Sequence, residues 1–177
     1  MRWILRIGGG LLVLVLALAA GSFLISSDVR VERSIVIEAE PEAVFAHLDS
    51  LQAFHAWSPW AARDPEMVTE FSGPDTGVGN RMAWSSDDPQ LGSGTQEIVA
   101  ITPGERVETS VEFDGMGSTA IWSVAGAGTG TEVSWTFQTD MGMNPIGRYL
   151  GLMMDGWIGP DYEEGLANLK SLVEAES

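Results

Sequence analysis

The feature that most constrains the fold of this chain is a change of hydrophobic period near Asn144. Before it, from Val29 to Thr139, short runs alternate between apolar and polar residues and are separated by glycine-rich breaks. That pattern is typical of antiparallel strands joined by hairpins. After it, apolar residues recur at helical spacing as far as Val173, which predicts a long C-terminal helix. A sheet of this kind needs an apolar cover, and the helix needs an apolar surface to lie on.

The individual elements follow from the same periodicities. Two short helices are expected before the meander, one beginning at Glu40-Pro41-Glu42 and one over Leu51 to Ala56. Gly159-Pro160 should kink the C-terminal helix or divide it in two. The predicted strands are Val29 to Ile37, Met67 to Phe71, Arg81 to Ser85, Thr95 to Ile101, Arg106 to Phe113, Thr119 to Val124 and Thr131 to Thr139.

The N-terminal segment contains an uncharged run from Ile7 to Ile25, preceded by Arg2 and Arg6. As a helix this run would span about 28 Å, close to the ~30 Å hydrocarbon core of a bilayer. It predicts a membrane anchor over residues 1–27, with one domain over residues 28–177. Both arginines precede the run, so the positive-inside rule predicts a single-pass cell-membrane protein with a cytoplasmic N-terminus and an extracytoplasmic domain, periplasmic or at the cell surface. The alternative is a cleaved signal peptide, because Ala17-Leu18-Ala19 fits a small-x-small cleavage site.

Charge and cysteine content narrow the possible partners. The formal net charge is −16, and all 25 acidic residues lie beyond Ser27. Such a field repels phosphates, so nucleic acid is excluded as a partner. The chain has no cysteine, which excludes disulfides and thiolate catalysis. An acidic surface also leaves open a module that docks a basic protein of the cell envelope.

Residues with catalytic potential are few. The two histidines, His47 and His55, show no spacing typical of a zinc site, so neither a metal nor a cofactor is predicted. His55 precedes a tryptophan cluster and is a weak candidate for an acid or base at a cavity mouth.

Asp155 is a second weak candidate, since it lies in the most apolar part of the last helix. A carboxylate there must be paired, protonated or directed into a wet cavity, with Arg81 or Arg148 as a possible partner. The alternative is simple exposure on the outer face of the helix, opposite Met153 and Trp157.

Aromatic residues carry more of the functional prediction. Trp57-Ser58-Pro59-Trp60 places two indoles around a rigid Ser-Pro step, giving an apolar surface that must be buried or bind something. Strand residues of one face would add to it. The predicted ligand-binding residues are Trp57, Trp60, Trp84, Phe113, Trp122, Met153 and Trp157, with Trp135 as an alternative to Trp122. The opposing interpretation is a filled core in which the same aromatics pack together.

The order of motifs resembles the SRPBCC superfamily, with its START-like helix-grip fold, and within it the polyketide cyclase/dehydrase-like branch. The resemblance covers roughly Val29 to Glu174. Its motifs are Arg33-Ser34-Ile35-Val36-Ile37, Ala39-Glu40-Pro41-Glu42-Ala43-Val44-Phe45, Trp57-Ser58-Pro59-Trp60 with Asp64-Pro65, Gly77-Val78-Gly79 before Trp84, Met154-Asp155-Gly156, and Tyr162-Glu163-Glu164-Gly165-Leu166-Ala167-Asn168-Leu169-Lys170.

The resemblance implies an α+β fold with a curved antiparallel sheet around the C-terminal helix and a hydrophobic cavity between them. It implies no particular reaction, because the superfamily hosts many functions on one scaffold. We therefore expect a membrane-tethered module that binds a hydrophobic or amphipathic small molecule, such as a lipid, and is not an enzyme. The alternative is an enzyme of polyketide cyclase or dehydratase type that acts on a ring-forming or aromatic substrate.

Overall fold

The computed structural model of the chain describes residues 2–113 and 115–176, and for positions 2 and 4–6 it describes the backbone alone. Within these residues, seven strands form one antiparallel sheet, in the order β1-β7-β6-β5-β4-β3-β2. The strands are β1 (Asp28–Ile37), β2 (Val68–Ser72), β3 (Arg81–Ser85), β4 (Ser93–Thr102), β5 (Arg106–Phe113), β6 (Met116–Ala127) and β7 (Gly130–Asp140). The first strand thus pairs with the last one, and the strands between them form a meander.

Helices precede, interrupt and follow the sheet. They are α1 (Arg2–Ser22), α2 (Pro41–Phe45), α3 (Leu51–Trp57), α4 (Pro59–Arg63), α5 (Pro145–Gly151) and α6 (Met154–Glu176). Proline occupies the first turn of α2, α4 and α5, where its missing N–H costs no helical bond. Asn144 caps α5, because its side chain accepts hydrogen bonds from the backbone N–H groups of Ile146 and Gly147, both at 3.1 Å.

The core lies between one face of the sheet and α6, with α2 and α3 closing one end. Leu166, Leu169 and Val173 of α6 are buried against this face, and Val44 and Leu48 pack into the same core. The α+β helix-grip architecture predicted from the sequence is therefore confirmed.

The strand predictions agree with the structure at most positions. The bounds of β3 and β5 are as predicted, whereas β6 extends beyond the predicted Thr119 to Val124 at both ends. Its ladder with β5 and β7 continues through Gly117 and Gly126. Glycine carries no side chain, so hydrophobic alternation does not reveal such positions.

The predicted membrane anchor is wrong. No helix in the described part of the chain is long and apolar enough to cross a membrane. The helix ends at Ser22, and residues 23–27 turn into β1, so the uncharged helical stretch from Ile7 onward is about 24 Å long, short of a ~30 Å hydrocarbon core. The predictions that depend on this anchor are therefore wrong as well. They are the single-pass topology, the membrane contact through Ile7 to Ile25 and the extracytoplasmic location of the domain. The orientation rested on Arg2 and Arg6, whose side chains lie outside the described residues.

The predicted division of the C-terminal helix is misplaced. The helix is divided at Leu152 and Met153, between α5 and α6, and α6 continues through Pro160. Pro160 lacks the N–H that would bond to the carbonyl of Gly156. Because Pro160 is in the second turn of a long helix packed along β1, the loss of one bond does not end α6.

Asn80 fixes α3 against the loop before β3. Its side chain is fully buried, its Oδ1 accepts from the backbone N–H of Leu51 at 2.7 Å, and its Nδ2 donates to the carbonyl of Pro74 at 2.7 Å. The bond to Leu51 satisfies a backbone donor in the first turn of α3. This loop also requires glycine at position 73, where φ is +83° and a Cβ would meet the Gly79 carbonyl.

Candidate ligand-binding cavity

A cavity of about 810 Å³ lies between the concave face of the sheet and the helices α3, α4 and α6. Its lining is mainly aromatic and aliphatic, with a few polar groups, which is the usual composition of small-molecule sites. The sheet contributes Met82, Trp84, Gln96, Val111, Phe113, Met116, Ser118, Ala120, Trp135 and Phe137. The helices and their junctions contribute Phe54, His55, Ser58, Trp60, Arg63, Met154, Gly156, Trp157, Ile158, Pro160, Asp161 and Tyr162.

The sheet wall is built from residues in register. Trp84 of β3 pairs with Gly94 of β4, and Gly94 pairs with Phe113 of β5. The rings of Trp84 and Phe113 are stacked, with centroids 6.4 Å apart and planes inclined by 15°. A Cβ at position 94 would lie 2.4 Å from Cζ2 of Trp84, so only glycine lets the indole lie across β4. Trp84 is held there by the hydrogen bond that its Nε1 donates to the carbonyl of Leu91 at 3.0 Å.

The helical wall is tied together by polar contacts between α4 and α6. Trp60 Nε1 donates to Asp161 Oδ2 at 2.9 Å, and Arg63 pairs with both Asp161 and Glu164. Asp161 thus accepts from two residues of α4. These contacts hold Trp60 and Arg63 beside the cavity and join the short helix to the long one.

His55, the weak acid–base candidate of the sequence, is among the residues that line the cavity from the helical side. Its ring meets Phe71 edge-on, with centroids 5.8 Å apart. Burial lowers the pKa of His55 below its usual value, because removal from water disfavours the imidazolium form. The side chain is therefore neutral near pH 7 and can accept a proton from a group in the cavity.

Asp155 belongs to a surface ion-pair cluster. Its carboxylate pairs with Arg33 of β1 at 2.9 Å, and Arg33 also pairs with Glu163 at 2.7 Å. Its partner is thus neither Arg81 nor Arg148, and its side chain is mostly exposed. The hydrogen bond from Arg33 lowers the pKa of Asp155. Arg33 lies directly over Gly159, where a Cβ would overlap its guanidinium.

The structure brings together only part of the predicted aromatic set. Trp60, Trp84, Phe113 and Trp157 line the cavity. Met153 is half exposed and is not among the lining residues, whereas its neighbour Met154 is buried and lines the cavity. The break between α5 and α6 shifts the helical phase at this point, so a sequence pattern assuming one continuous helix assigns the wrong methionine.

Trp57 and Trp122 belong to an aromatic cluster behind the cavity. They are 2% and 0% exposed and pack with each other and with Phe54 and Trp135. Tyr162 stacks on Trp135 with centroids 3.8 Å apart, and burial strongly raises the pKa of its phenol. The filled core and the open cavity therefore coexist, with Trp135 and Tyr162 on the boundary between them.

Several lining residues were not anticipated from the sequence. Gln96 is the least expected, since it is only 5% exposed and is paired across the sheet with the apolar residues Met82 and Val111. The sequence did contain an indication of this residue. Gln96 is two positions before the buried Ile98 of β4, so both side chains lie on the same face of the strand. Among the described residues there is no group of three or more histidine or acidic side chains that could hold a metal ion.

Fold and cavity together define a helix-grip protein with an apolar site between sheet and helix. The family described as "Polyketide cyclase / dehydrase and lipid transport" matches residues 28–174, and the chain belongs to this family. The resemblance found in the sequence is thereby confirmed. No curated protein sequence matches the chain significantly.

Solved structures share the fold. A protein from Rhodobacter sphaeroides is 19% identical with a TM-score of 0.59, and the match covers 84% of this chain and 94% of that one. Protein Ms6760 from Mycobacterium smegmatis is 13% identical with a TM-score of 0.59, covering 84% and 93%. Protein CV1439 from Chromobacterium violaceum is 21% identical with a TM-score of 0.54, covering 82% and 96%. At these identities the likeness concerns the fold alone.

Proposed function

We propose that this chain binds a hydrophobic or amphipathic small molecule in the cavity between the sheet and α6. The observation that carries the proposal is the cavity itself, whose volume of about 810 Å³ lies within the ~300–1,000 Å³ range of small-molecule sites. Empty apolar space of this size is costly, because its lining loses van der Waals contacts that a filled core would make. A ligand with a large apolar body would restore those contacts.

A pair of substitutions on β6 tests the proposal. Ala120 is 4% exposed and lines the cavity, whereas Ala125 on the same strand is exposed. Ala120→Phe should fill part of the cavity and weaken binding of a fluorescent lipid analogue to the full chain at least tenfold, a difference of about 1.4 kcal/mol. Ala125→Phe should leave the affinity unchanged. Equal affinities for all three proteins, or no binding to the unmodified chain, would contradict the proposal.

Native mass spectrometry of the purified full chain gives an independent measurement. A ligand carried through purification should appear as added mass, and Ala120→Phe should reduce that fraction while Ala125→Phe retains it. Added mass present equally in both variants would place the ligand elsewhere on the protein.

A second candidate function is catalysis on an aromatic or ring-forming substrate, and the observation that favours it is His55. This imidazole is neutral near pH 7 and adjoins the cavity, so it meets the first requirement of a general base. Asp155 would not assist it, since Arg33 holds that carboxylate on the surface. Product formation that is lost in His55→Gln, with probe binding retained, would favour the enzyme over the carrier.

A further inference from the structure

Gln96 places an amide between two apolar side chains of the cavity wall. In the sheet register it pairs with Met82 of β3 and Val111 of β5, and Val111 pairs in turn with Ser118 of β6. All four line the cavity, and paired residues of adjacent strands point to the same face of a sheet. The amide of Gln96 is therefore on the concave face, flanked by two apolar side chains.

The orientation of this amide is fixed by its neighbours. Gln96 Nε2 donates to Thr109 Oγ1 at 3.0 Å, and Thr109 Oγ1 donates to the carbonyl of Ala120 at 3.2 Å. Because the single hydroxyl proton of Thr109 is used by Ala120, the hydroxyl oxygen can only accept from Gln96. The NH₂ end of the amide must therefore face Thr109, and the carbonyl end, Oε1, is the free one.

Oε1 of Gln96 accepts no hydrogen bond from any described residue. It is also not among the fully enclosed polar atoms that lack a partner, which are Thr69 Oγ1, Trp122 Nε1 and Trp135 Nε1. It therefore keeps contact with open space, and the open space beside Gln96 is the cavity. A carbonyl oxygen in apolar surroundings is stabilised by a donor and is left unpaired by a purely apolar ligand.

We propose that Gln96 Oε1 selects ligands that carry a hydrogen-bond donor, a hydroxyl or an N–H group, on an apolar body. The inference rests on the proposed binding function and specifies the chemistry of the ligand. Thr109 acts as a positioning residue, because it holds the amide with its acceptor toward the ligand.

The experiment compares 1-hydroxypyrene with 1-methoxypyrene, which share an aromatic body but differ in the donor. Fluorescence titration of the full chain should show tighter binding of the hydroxyl compound. Gln96→Met should weaken 1-hydroxypyrene binding by about tenfold and leave 1-methoxypyrene within about twofold, since one hydrogen bond is lost. Gln138→Met is the matched control, because Gln138 of β7 is not among the lining residues, and it should preserve the preference.

Thr109→Val provides a second variant that keeps the cavity volume. It should reduce the preference for the hydroxyl compound, because the amide is then free to turn. If both pyrenes bind and Gln96→Met changes both affinities equally or neither, the assignment to Gln96 is overturned and the binding function stands. If neither pyrene binds the unmodified chain, both the binding function and the assignment are overturned.

Discussion

At the scale of single residues, two tryptophans show the difference between packing and binding. Trp122 is fully buried in the aromatic cluster, whereas Trp157 is 49% exposed and lines the cavity. Trp122→Ala should lower the free energy of unfolding by ~3 to 5 kcal/mol, the usual cost for a filled core. Trp157→Ala should cost only about 1 kcal/mol, because half of its surface is already in water.

Trp122→Ala should cause the larger loss of stability, and Trp157→Ala should cause the larger loss of ligand affinity. Trp157→Ala should weaken binding of a fluorescent lipid analogue, and Trp122→Ala should do so only as far as it unfolds the protein. Urea unfolding and probe titration, carried out on both full-length variants, give the two numbers. A loss of ~3 kcal/mol or more for Trp157→Ala would show that this indole belongs to the core.

His55 predicts a pH dependence. Burial lowers its pKa in the folded state below ~6.5, the value for an unfolded chain, so the neutral form is favoured by folding. The corresponding part of the unfolding free energy is present above pH ~6.5 and is lost as the pH falls below that value through the folded pKa. NMR titration of the His55 ring in the full chain measures the shift directly.

His55→Gln is the control for that pH dependence. It should make the unfolding free energy less dependent on pH below ~6.5. A His55 ring that titrates above 6.5, or a variant with an unchanged pH profile, would contradict the assignment.

At the scale of elements, Asn80 joins α3 to the sheet and so positions the helical wall of the cavity. Asn80→Ala leaves the Leu51 N–H and the Pro74 carbonyl without their side-chain partner in a buried site, and should lower the free energy of unfolding by about 2–3 kcal/mol. Gln52 is the matched control, since its side chain is exposed and its Oε1 accepts hydrogen bonds from Ser50 and Asn80, each at 3.2 Å. Gln52→Ala should cost less than about 1 kcal/mol in urea unfolding. Equal losses would mean that Asn80 is not the connecting residue.

Strands were more predictable than helix boundaries, for reasons visible in particular residues. The alternation in β3 and β5 reflects one buried face, so their bounds follow from the sequence. The break at Leu152 and Met153 carries no proline or glycine at its own positions, whereas Pro160 inside α6 suggested a break that does not occur. Both the break at Leu152 and Met153 and the continuity of α6 through Pro160 depend on tertiary packing, which the local sequence does not reveal.

The cavity was predictable in type but only partly in its lining. The family resemblance implies an apolar space between sheet and helix, and the strand aromatics are predicted to line it because alternate strand residues point toward the helix. Their separation into a lining set and a buried cluster depends on helix phase and strand register, as Met153 and Trp122 show. The direction in which the Gln96 amide presents its oxygen follows only from the contact with Thr109, which the sequence does not show.

At the scale of the whole molecule, α1 is nearly independent of the domain. Of its described residues only Ser22 is buried, and its polar link to α5 is the hydrogen bond that Tyr149 donates to the Leu18 carbonyl at 2.9 Å. Removal of residues 1–22 should therefore change the free energy of unfolding by less than about 1 kcal/mol. Tyr149→Phe in the full chain is the control for the lost bond. A loss of several kcal/mol in urea would show that the folded unit extends into α1.

Charge at the same scale predicts a preference among ligands. The net charge is −16, and Arg63, the basic residue that lines the cavity, is already paired with Asp161 and Glu164. An anionic head group thus finds no unpaired cation among the described lining residues. Pyrene-1-carboxylate should bind more weakly than 1-hydroxypyrene, and added salt should narrow the difference by screening the repulsion. Tighter binding of pyrene-1-carboxylate than of 1-hydroxypyrene at low salt would contradict the predicted repulsion of anionic ligands.

The close approach of α6 to the sheet at Gly165 has a consequence for how the family can diverge. A Cβ at position 165 would lie 2.7 Å from Cζ3 of Trp135 and 3.1 Å from Cδ of Pro59. The indole of Trp135 therefore fits only because residue 165 is a glycine without a side chain. A relative that acquires a bulkier residue at 165 must accept a smaller one at 135, and the intermediate with both large would be unstable. The two positions should therefore covary along the lineage, and the size of the residue at 165 should predict whether a relative retains the stacked Trp135 and Tyr162 beside its cavity.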